Sequence, residues 1–359
     1  MPTFHPLRVR DIRQETEDTV SVSFEVPIDL KEDYKFIQGQ YLTFKKDLNG
    51  DETRRSYSIC TSPLDDDLRV AIKTVEGGLF STFANSTLQI GDTLDVMTPL
   101  GRFYTPLDST NGKSYLAFAA GSGITPIMAH IKTVLASEHK SEFTLVYGNK
   151  STQSIIFREE LEDLKNEHMD RLRVFHVLSR EASEFPFLQG HIDGEKCDMF
   201  FKHLIDIENT DEAFICGPAP MIDAVRESLQ NAGLERKQIH FEFFASPQQL
   251  AERKGTQVKK ADGPSIQAHV KIILDGLTME FDMESSQTNI LDAALENGVD
   301  LPYACKGGVC ATCRAKIDEG EVEMDVNYSL EPDEVERGFV LTCQSHPKTK
   351  NVVVNFDEV

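Results

Sequence analysis

Cys305-Lys306-Gly307-Gly308-Val309-Cys310-Ala311-Thr312-Cys313, with a further cysteine at Cys343, is the stretch from which the rest of this chain is read. The order C-x4-C-x2-C…C is the ligand spacing of a plant-type [2Fe-2S] cluster, in which each iron is held by two cysteine sulfurs. Gly307 and Gly308 suit a loop that bends tightly around such a cluster and turns backbone N–H groups toward its sulfurs. Three other chemistries compete. A structural zinc site more often pairs two CxxC units, and only Cys310-Ala311-Thr312-Cys313 has that form. A thioredoxin-like CxxC leaves Cys305 and Cys343 without a role. A disulfide framework needs a secreted setting that nothing else in the sequence supports. A one-electron carrier near the end of the chain makes everything upstream a question of what supplies the electrons.

The 359 residues are enough for two or three domains, because single cores seldom grow beyond roughly 250–300 residues. With 37 Lys and Arg against 59 Asp and Glu the formal net charge is -22. That balance argues against nucleic-acid binding and against an anionic membrane surface, both of which need a basic footprint. No apolar run approaches the roughly 20 residues that span a bilayer. The first residues, Met1-Pro2-Thr3-Phe4-His5-Pro6, lack the regions of a signal peptide, so a cytoplasmic protein is expected. Of seven cysteines, Cys60, Cys197 and Cys216 fall outside the motif and read as free thiols.

The first hundred or so residues carry short alternating strands, at Val20–Val26, Tyr41–Phe44, Tyr57–Cys60, Leu68–Thr74 and Thr93–Met97, which predict a small antiparallel β-barrel. Within it, Arg55, Tyr57 and Ser58 can set a phosphate-pairing guanidinium, a stacking ring and a hydrogen-bond donor beside one flat ligand. Further on, Gly77-Gly78 precedes a helix start with Ser81 or Thr82 as cap, a terminus that offers N–H groups to a phosphate. A plain hairpin or helix-entry turn explains the same glycines.

From Ser114 strands and helices alternate. Tyr115–Ala120, Phe143–Tyr147, Leu172–Leu178 and Ala213–Cys216 are apolar runs separated by helices, the pattern of a parallel sheet whose ligands lie at the strand carboxyl ends. Gly121-Ser122-Gly123-Ile124-Thr125-Pro126 departs from G-x-G-x-x-G at its last position, and Gly148-Asn149 offers no acid for a ribose, so a standard dinucleotide fold is disfavoured. Ser179 and Arg180 close the third strand and favour the 2'-phosphate of NADPH, although an exposed strand-end arginine would look the same. Ile239–Phe244 is a last strand. The C-terminal part reads as a hairpin around Asp275-Gly276, a helix from Asn289 to Asn297, the cysteine loop, a short helix at Pro332–Glu336 and a strand carrying Cys343. The expected organisation is therefore a multidomain chain: a β-barrel at 1–108, an α/β parallel-sheet domain at 112–246, a linker at 247–267 and an α+β, β-grasp domain at 268–359.

With those residues in place the chain resembles the ferredoxin-NADP reductase family fused to a C-terminal plant-type ferredoxin domain, over nearly its whole length. By that likeness Arg55, Tyr57 and Ser58 match the flavin motif R-x-Y-S, and Gly78 and Ser81 the pyrophosphate motif G-x-x-S. Gly121, Gly123, Thr125 and Pro126 match the nicotinamide-side loop, while Cys216, Gly217 and Pro218 match a C-G-P turn near the site of hydride transfer. The resemblance implies FAD, NADPH as substrate, Ser58 and Cys216 as catalytic residues, Cys305, Cys310, Cys313 and Cys343 as cluster ligands, and a non-haem di-iron oxygenase component as electron acceptor. Relatives with the same domain order serve Rieske-type oxygenases such as steroid ring hydroxylases. Phthalate-type reductases share the order but use FMN and NADH, against which Ser179-Arg180 leans. Two other readings are a redox sensor that holds flavin and cluster without turnover, and a flavin reductase with a zinc-stabilised tail. The segment from Ala268 on carries 18 acidic and 7 basic residues, which implies a basic surface on the acceptor and salt-sensitive coupling.

Overall fold

The computed structural model describes residues 3–183, 185–244 and 265–358. The expected linker lies almost wholly outside the described residues. The described chain falls into two compact units, one of Thr3–Phe244 and one C-terminal to it.

The larger unit begins with six strands: β1 (Phe4–Thr16), β2 (Thr19–Glu25), β3 (Tyr41–Leu48), β4 (Asp51–Ser58), β5 (Leu68–Lys73) and β6 (Thr93–Met97). They form one antiparallel sheet in the order β4-β3-β6-β1-β2-β5, and a bridge from Ile59 to Val70 ties its two ends into a barrel. The longest strand, β1, is the one that alternation does not reveal. Its register against β2 shifts between Val9 and Asp11 and again between Gln14 and Thr16, and such bulges break the period of two. Leu7, Val22, Leu42, Phe44, Val70 and Val96 fill the barrel. Helix α1 (Leu79–Ser86) lies across it.

The second half of this unit is a parallel sheet of β7 (Ser114–Ala120), β8 (Glu142–Asn149), β9 (Leu172–Leu178), β10 (Glu212–Gly217) and β11 (Ile239–Phe243), in the order β11-β10-β7-β8-β9. One face is covered by α2 (Ile124–Ser137) and α3 (Arg158–Glu167), the other by α4 (Gly194–His203) and α5 (Ala219–Asn231). Burial on both faces explains why the strands read as continuous apolar runs. Fully buried Phe118, Leu145 and Val146 each contribute roughly 1.5–3 kcal/mol. Cys197, Phe200 and Phe201 of helix α4 pack into the core on this face, and Asp193 caps the helix by accepting from Lys196 N at 2.9 Å. The barrel seats on the sheet through Thr133 Oγ1 to Ser62 Oγ at 3.0 Å and the Lys132–Asp65 pair at 2.8 Å.

The C-terminal unit contains β12 (Gln267–Leu274), β13 (Leu277–Glu284), α6 (Ile290–Glu296), β14 (Arg314–Glu319), β15 (Val322–Met324), α7 (Pro332–Glu336), β16 (Phe339–Leu341), β17 (Ser345–Pro347) and β18 (Asn351–Asn355). Its main sheet runs β13-β12-β18-β14-β16, with the small pair β15-β17 beside it. Asp275 and Gly276 both take positive φ, 54° and 69°, as the two-residue hairpin turn requires. Their N–H groups donate to the Asp357 carboxylate at 2.7 and 2.8 Å. Ile290, Leu291, Ala293 and Ala294 of α6 pack on Val270, Ile272, Val352 and Val354 of the sheet, which gives the α+β, β-grasp architecture.

Candidate redox sites

Cys305, Cys310 and Cys313 lie on the loop between α6 and β14. Cys343 is not on a strand as expected but in the single 3-10 turn Thr342–Gln344 that follows β16. Pairing of β14 with β16, Arg314 opposite Leu341, brings this turn to the loop, and Thr342 donates from N and Oγ1 to Cys313 O at 3.1 and 3.0 Å. The thiols then meet in two pairs, Cys305 with Cys310 and Cys313 with Cys343, each pair in hydrogen-bond contact. Among the described residues no three His, Cys, Asp or Glu side chains gather round one point as a single ion requires. Two cysteines per iron is the division a [2Fe-2S] cluster makes.

Donors converge on these sulfurs. Gly307 N lies 3.3 Å from Cys305 Sγ, which also accepts from the backbone of Val309 and Cys310, and Gly308 N donates to Cys343 Sγ. Thr312 Oγ1 donates to Cys310 Sγ at 3.1 Å, and Gln344 Nε2 to Cys343 Sγ at 3.4 Å. The loop aims its amides by turning left-handed at Lys306 (φ 49°), Gly308 (75°) and Ala311 (54°). In each pair one thiol is held low. Cys305 is drawn below the ordinary thiol range, chiefly by the Cys310 thiol, and Cys343 is lowered chiefly by Cys313. Cys310 and Cys313 are raised, first by these thiol partners and then by burial. Charge-stabilising donors and a ready thiolate in each pair fit an iron-sulfur cluster.

In the barrel, β4 carries Arg55, Tyr57 and Ser58. The Tyr57 ring lies 6.0 Å from Phe44 and 5.7 Å from Phe80, and burial pushes its hydroxyl pKa up. Arg55 Nη1 donates to Arg54 O at 2.7 Å. Helix α1 starts at Gly78, and neither Ser81 nor Thr82 caps it. Ser81 is instead the third helical residue, its Oγ accepting from Val75 N at 3.1 Å and donating to Gly78 O at 3.2 Å. With no side chain spent on the cap, the first-turn N–H groups suit a phosphate.

The sheet order reverses between β7 and β10, and there the two glycine turns meet. A Cβ on Gly123 would sit 2.1 Å from Cys216 O, so only glycine lets the strand ends approach this closely. Gly121, at φ 54°, accepts from Tyr147 Oη at 3.0 Å. Thr125 and Pro126 occupy the first turn of α2, where proline is tolerated. Thr125 Oγ1 donates to Ser122 O at 3.0 Å. Cys216 and Gly217 end β10, Pro218 caps α5, and burial raises the Cys216 thiol well above its ordinary range.

Ser58 and Cys216, 158 positions apart in the chain, come together through a residue that sequence reasoning missed. Glu242 pairs in register with Cys216 across β10 and β11, and Ser58 Oγ donates to its Oε2 at 3.1 Å. Burial lifts this carboxyl to about 7, against the lowering effect of Ser58. The signal available was an acid inside the run His240-Phe241-Glu242-Phe243-Phe244, where strand burial leaves a carboxylate poorly solvated. Ser179 and Arg180 lie elsewhere, at the end of the edge strand β9, with Ser179 N on Asn149 O at 2.9 Å and Arg180 N on Lys150 O at 2.8 Å. The Arg180 side chain is exposed. Glu181 fixes this corner by accepting from Thr152 N and Oγ1 at 2.7 and 2.9 Å.

A barrel with an aromatic cradle and an open helix start, a parallel sheet with glycine turns at its switch point, and a ferredoxin-like cysteine loop define an NAD(P)H-dependent flavin and iron-sulfur oxidoreductase. Known proteins agree. Residues 6–105 match the oxidoreductase FAD-binding domain family, 118–227 the oxidoreductase NAD-binding domain family and 272–348 the 2Fe-2S iron-sulfur cluster binding domain family. The chain is 47% identical over 359 residues, 99% of both chains, to a subunit of 1,2-phenylacetyl-CoA epoxidase from Escherichia coli (strain K12). It is 34% identical over 355 residues to the ferredoxin reductase component of 3-ketosteroid-9-alpha-monooxygenase from Rhodococcus rhodochrous, covering 98% of this chain and 96% of that one. In fold it is similar to phthalate dioxygenase reductase, with a TM-score of 0.59 at 22% identity over 98% of each chain. The chain belongs to the family of oxygenase reductases that join FAD-binding, NAD-binding and [2Fe-2S] domains in one polypeptide.

Proposed function

We propose that this reductase draws electrons from NADPH and delivers them through FAD and the [2Fe-2S] cluster to the oxygenase component of a phenylacetyl-CoA epoxidase. The observation that carries the acceptor is the 47% identity over essentially the full length of both chains, against 34% for the steroid-hydroxylase reductase. The resemblance makes that acceptor a non-haem di-iron enzyme, and the acidic C-terminal segment suits a basic docking surface on it. A cytoplasmic setting accords with this reading; among the described residues no helix is long and apolar enough to cross a membrane.

Bound flavin accepts a hydride as an electron pair and releases electrons singly, which lets a one-electron cluster follow it. In this reading Tyr57 supports the ring, Arg55 and the Gly78–Ser81 turn hold the pyrophosphate, and Gly121, Gly123, Thr125 and Pro126 with Cys216, Gly217 and Pro218 shape the nicotinamide pocket. Cys216, kept a neutral thiol by burial, contributes shape and contact. Ser58 donates toward the site, and Glu242 beside it holds or releases a proton near neutral pH. Ser179 and Arg180 pair with the 2'-phosphate, and Cys305, Cys310, Cys313 and Cys343 ligate the cluster.

The test is anaerobic reduction of the holoprotein followed by absorbance. Flavin and cluster bands both bleach, with NADPH the better donor. Replacing Arg180 by Ala raises the KM for NADPH about 10- to 100-fold, the worth of one charge-assisted hydrogen bond, and leaves that for NADH unchanged. Equal effects on both nucleotides would defeat the 2'-phosphate assignment. Electron delivery to the steroid-hydroxylase oxygenase but not to the epoxidase would replace the acceptor.

A further inference from the structure

Gln344 follows the fourth cluster cysteine and is 0% exposed. Every partner of its side chain is an acceptor: Nε2 lies 3.0 Å from Lys306 O, 2.7 Å from Cys343 O and 3.4 Å from Cys343 Sγ. A flipped amide would set a carbonyl oxygen against all three, so their chemistry fixes the NH2 on this side. On the far side Oε1 is buried with no partner. A buried acceptor without a donor weighs against folding, and an apolar side chain of the same length would avoid it. What the amide supplies in return is its donor face.

That face spans the two halves of the ligand set. Lys306, in the left-handed conformation at φ 49°, belongs to the loop of the first cysteine pair, and its Nζ is already tied to Asp292 of α6 at 2.7 Å. Cys343 belongs to the second pair. The Gln344 side chain also closes over Gly308, where a Cβ would lie 3.2 Å from its Cγ, and Gly308 itself donates its N–H to Cys343 Sγ. One buried side chain therefore ties the loop to the turn and places a neutral N–H on a ligand sulfur. Donation to a thiolate sulfur draws charge from the metal and stabilises the reduced cluster, which is one of the protein's means of setting its potential.

We propose that Gln344 is a positioning residue of the iron-sulfur centre: its amide clamps the Cys305–Cys310 loop to the Cys343 turn, and its N–H on Cys343 Sγ raises the reduction potential of the cluster. This rests on the four cysteines being the cluster ligands. The substitution Gln344→Met keeps length and removes the donor. Iron and sulfide content, an EPR-monitored redox titration and anaerobic flavin reduction by NADPH are measured on the holoprotein. The expected result is a cluster present at wild-type content, a potential shifted to more negative values, a smaller fraction of cluster reduced at equilibrium with NADPH, and flavin reduction at the wild-type rate. A fully populated cluster with unchanged potential overturns the proposal.

Should Gln344→Met take up no cluster, the wild-type protein decides. Among the described residues Gln344 is the one glutamine with a hydrogen bond to a cysteine sulfur. Protein with 15N in its glutamine side chains is expected to show a 15N coupling to the reduced cluster by pulsed EPR, and absence of that coupling overturns the proposal. Wild-type protein devoid of iron and sulfide would instead refute the ligand assignment on which it rests.

Discussion

The cysteine loop and the nucleotide site gather their chemistry in opposite ways. Three of the four cysteines proposed to hold the cluster fall within the nine residues Cys305–Cys313, and the backbone amides that face Cys305 Sγ belong to the same loop, turned by left-handed Lys306 and Gly308. At the proposed nucleotide site, Ser58 comes from a barrel strand, Gly123 from the turn after β7, Thr125 from α2, Cys216 from β10 and Glu242 from β11. Hydrogen bonds and one close backbone approach hold them together across the sheet. A local site is set by its own backbone conformation, whereas a distributed site is only as good as the packing of the strands that carry it.

Three substitutions press on that contrast. The largest effect is expected from Cys310→Ser, which removes one of the four proposed ligands. The protein should lose its iron and sulfide and all electron transfer to one-electron acceptors through the cluster, while NADPH still bleaches the flavin. Loss of flavin reduction as well would mean that the two regions are not separable. Gly123→Ala comes next. With its Cβ 2.1 Å from Cys216 O, the ends of β7 and β10 must separate, costing about 1–3 kcal/mol. Calorimetry should show the larger unit destabilised and the cluster's absorbance retained at room temperature, with NADPH oxidation slowed. A variant with wild-type stability and rate would show that the close approach matters little.

The smallest effect concerns Glu242. Its carboxyl is raised by burial from the ordinary 4.5 to about 7, so the folded state binds its proton more tightly than the unfolded chain does. The sign follows from linkage: this group leaves stability untouched below the unfolded value, and lowers it progressively as pH rises from about 4.5 to 7, after which the loss is constant. Glu242→Gln should therefore gain in Tm relative to the wild type across that interval and hold a fixed advantage above it. A difference in Tm that does not vary with pH would show that Glu242 is not the titrating group.

Much of the fold was legible because most elements obey one simple period. Strands β7 and β10 are apolar between their ends, as burial on both faces demands, and α6 lies between the Asn289 and Asn297 caps, within the span that its pattern predicts. The exceptions have physical causes. Bulges hide the alternation of β1. Ser81 has the composition of a cap but lies inside α1, because Gly78 takes the extended conformation at the start. Cys343 could be proposed as a cluster ligand from spacing, but its seat in a tight turn depends on where β14 and β16 pair.

By itself the sequence determined the chemistry: four thiols at iron-sulfur spacing, a flavin motif in a β-rich half, glycine turns in an α/β half, and their order along the chain. These signals are short, and local backbone geometry is enough to explain them. Only the tertiary structure decided which thiols pair, that Glu242 stands between Ser58 and Cys216 with a carboxyl near neutrality, and that Gln344 is buried against the cluster loop with its donors on one side and a lone acceptor on the other. Each of those facts is a matter of burial and of contacts between distant strands, and desolvation and partner geometry, rather than residue type, set what a carboxyl, a thiol or an amide does.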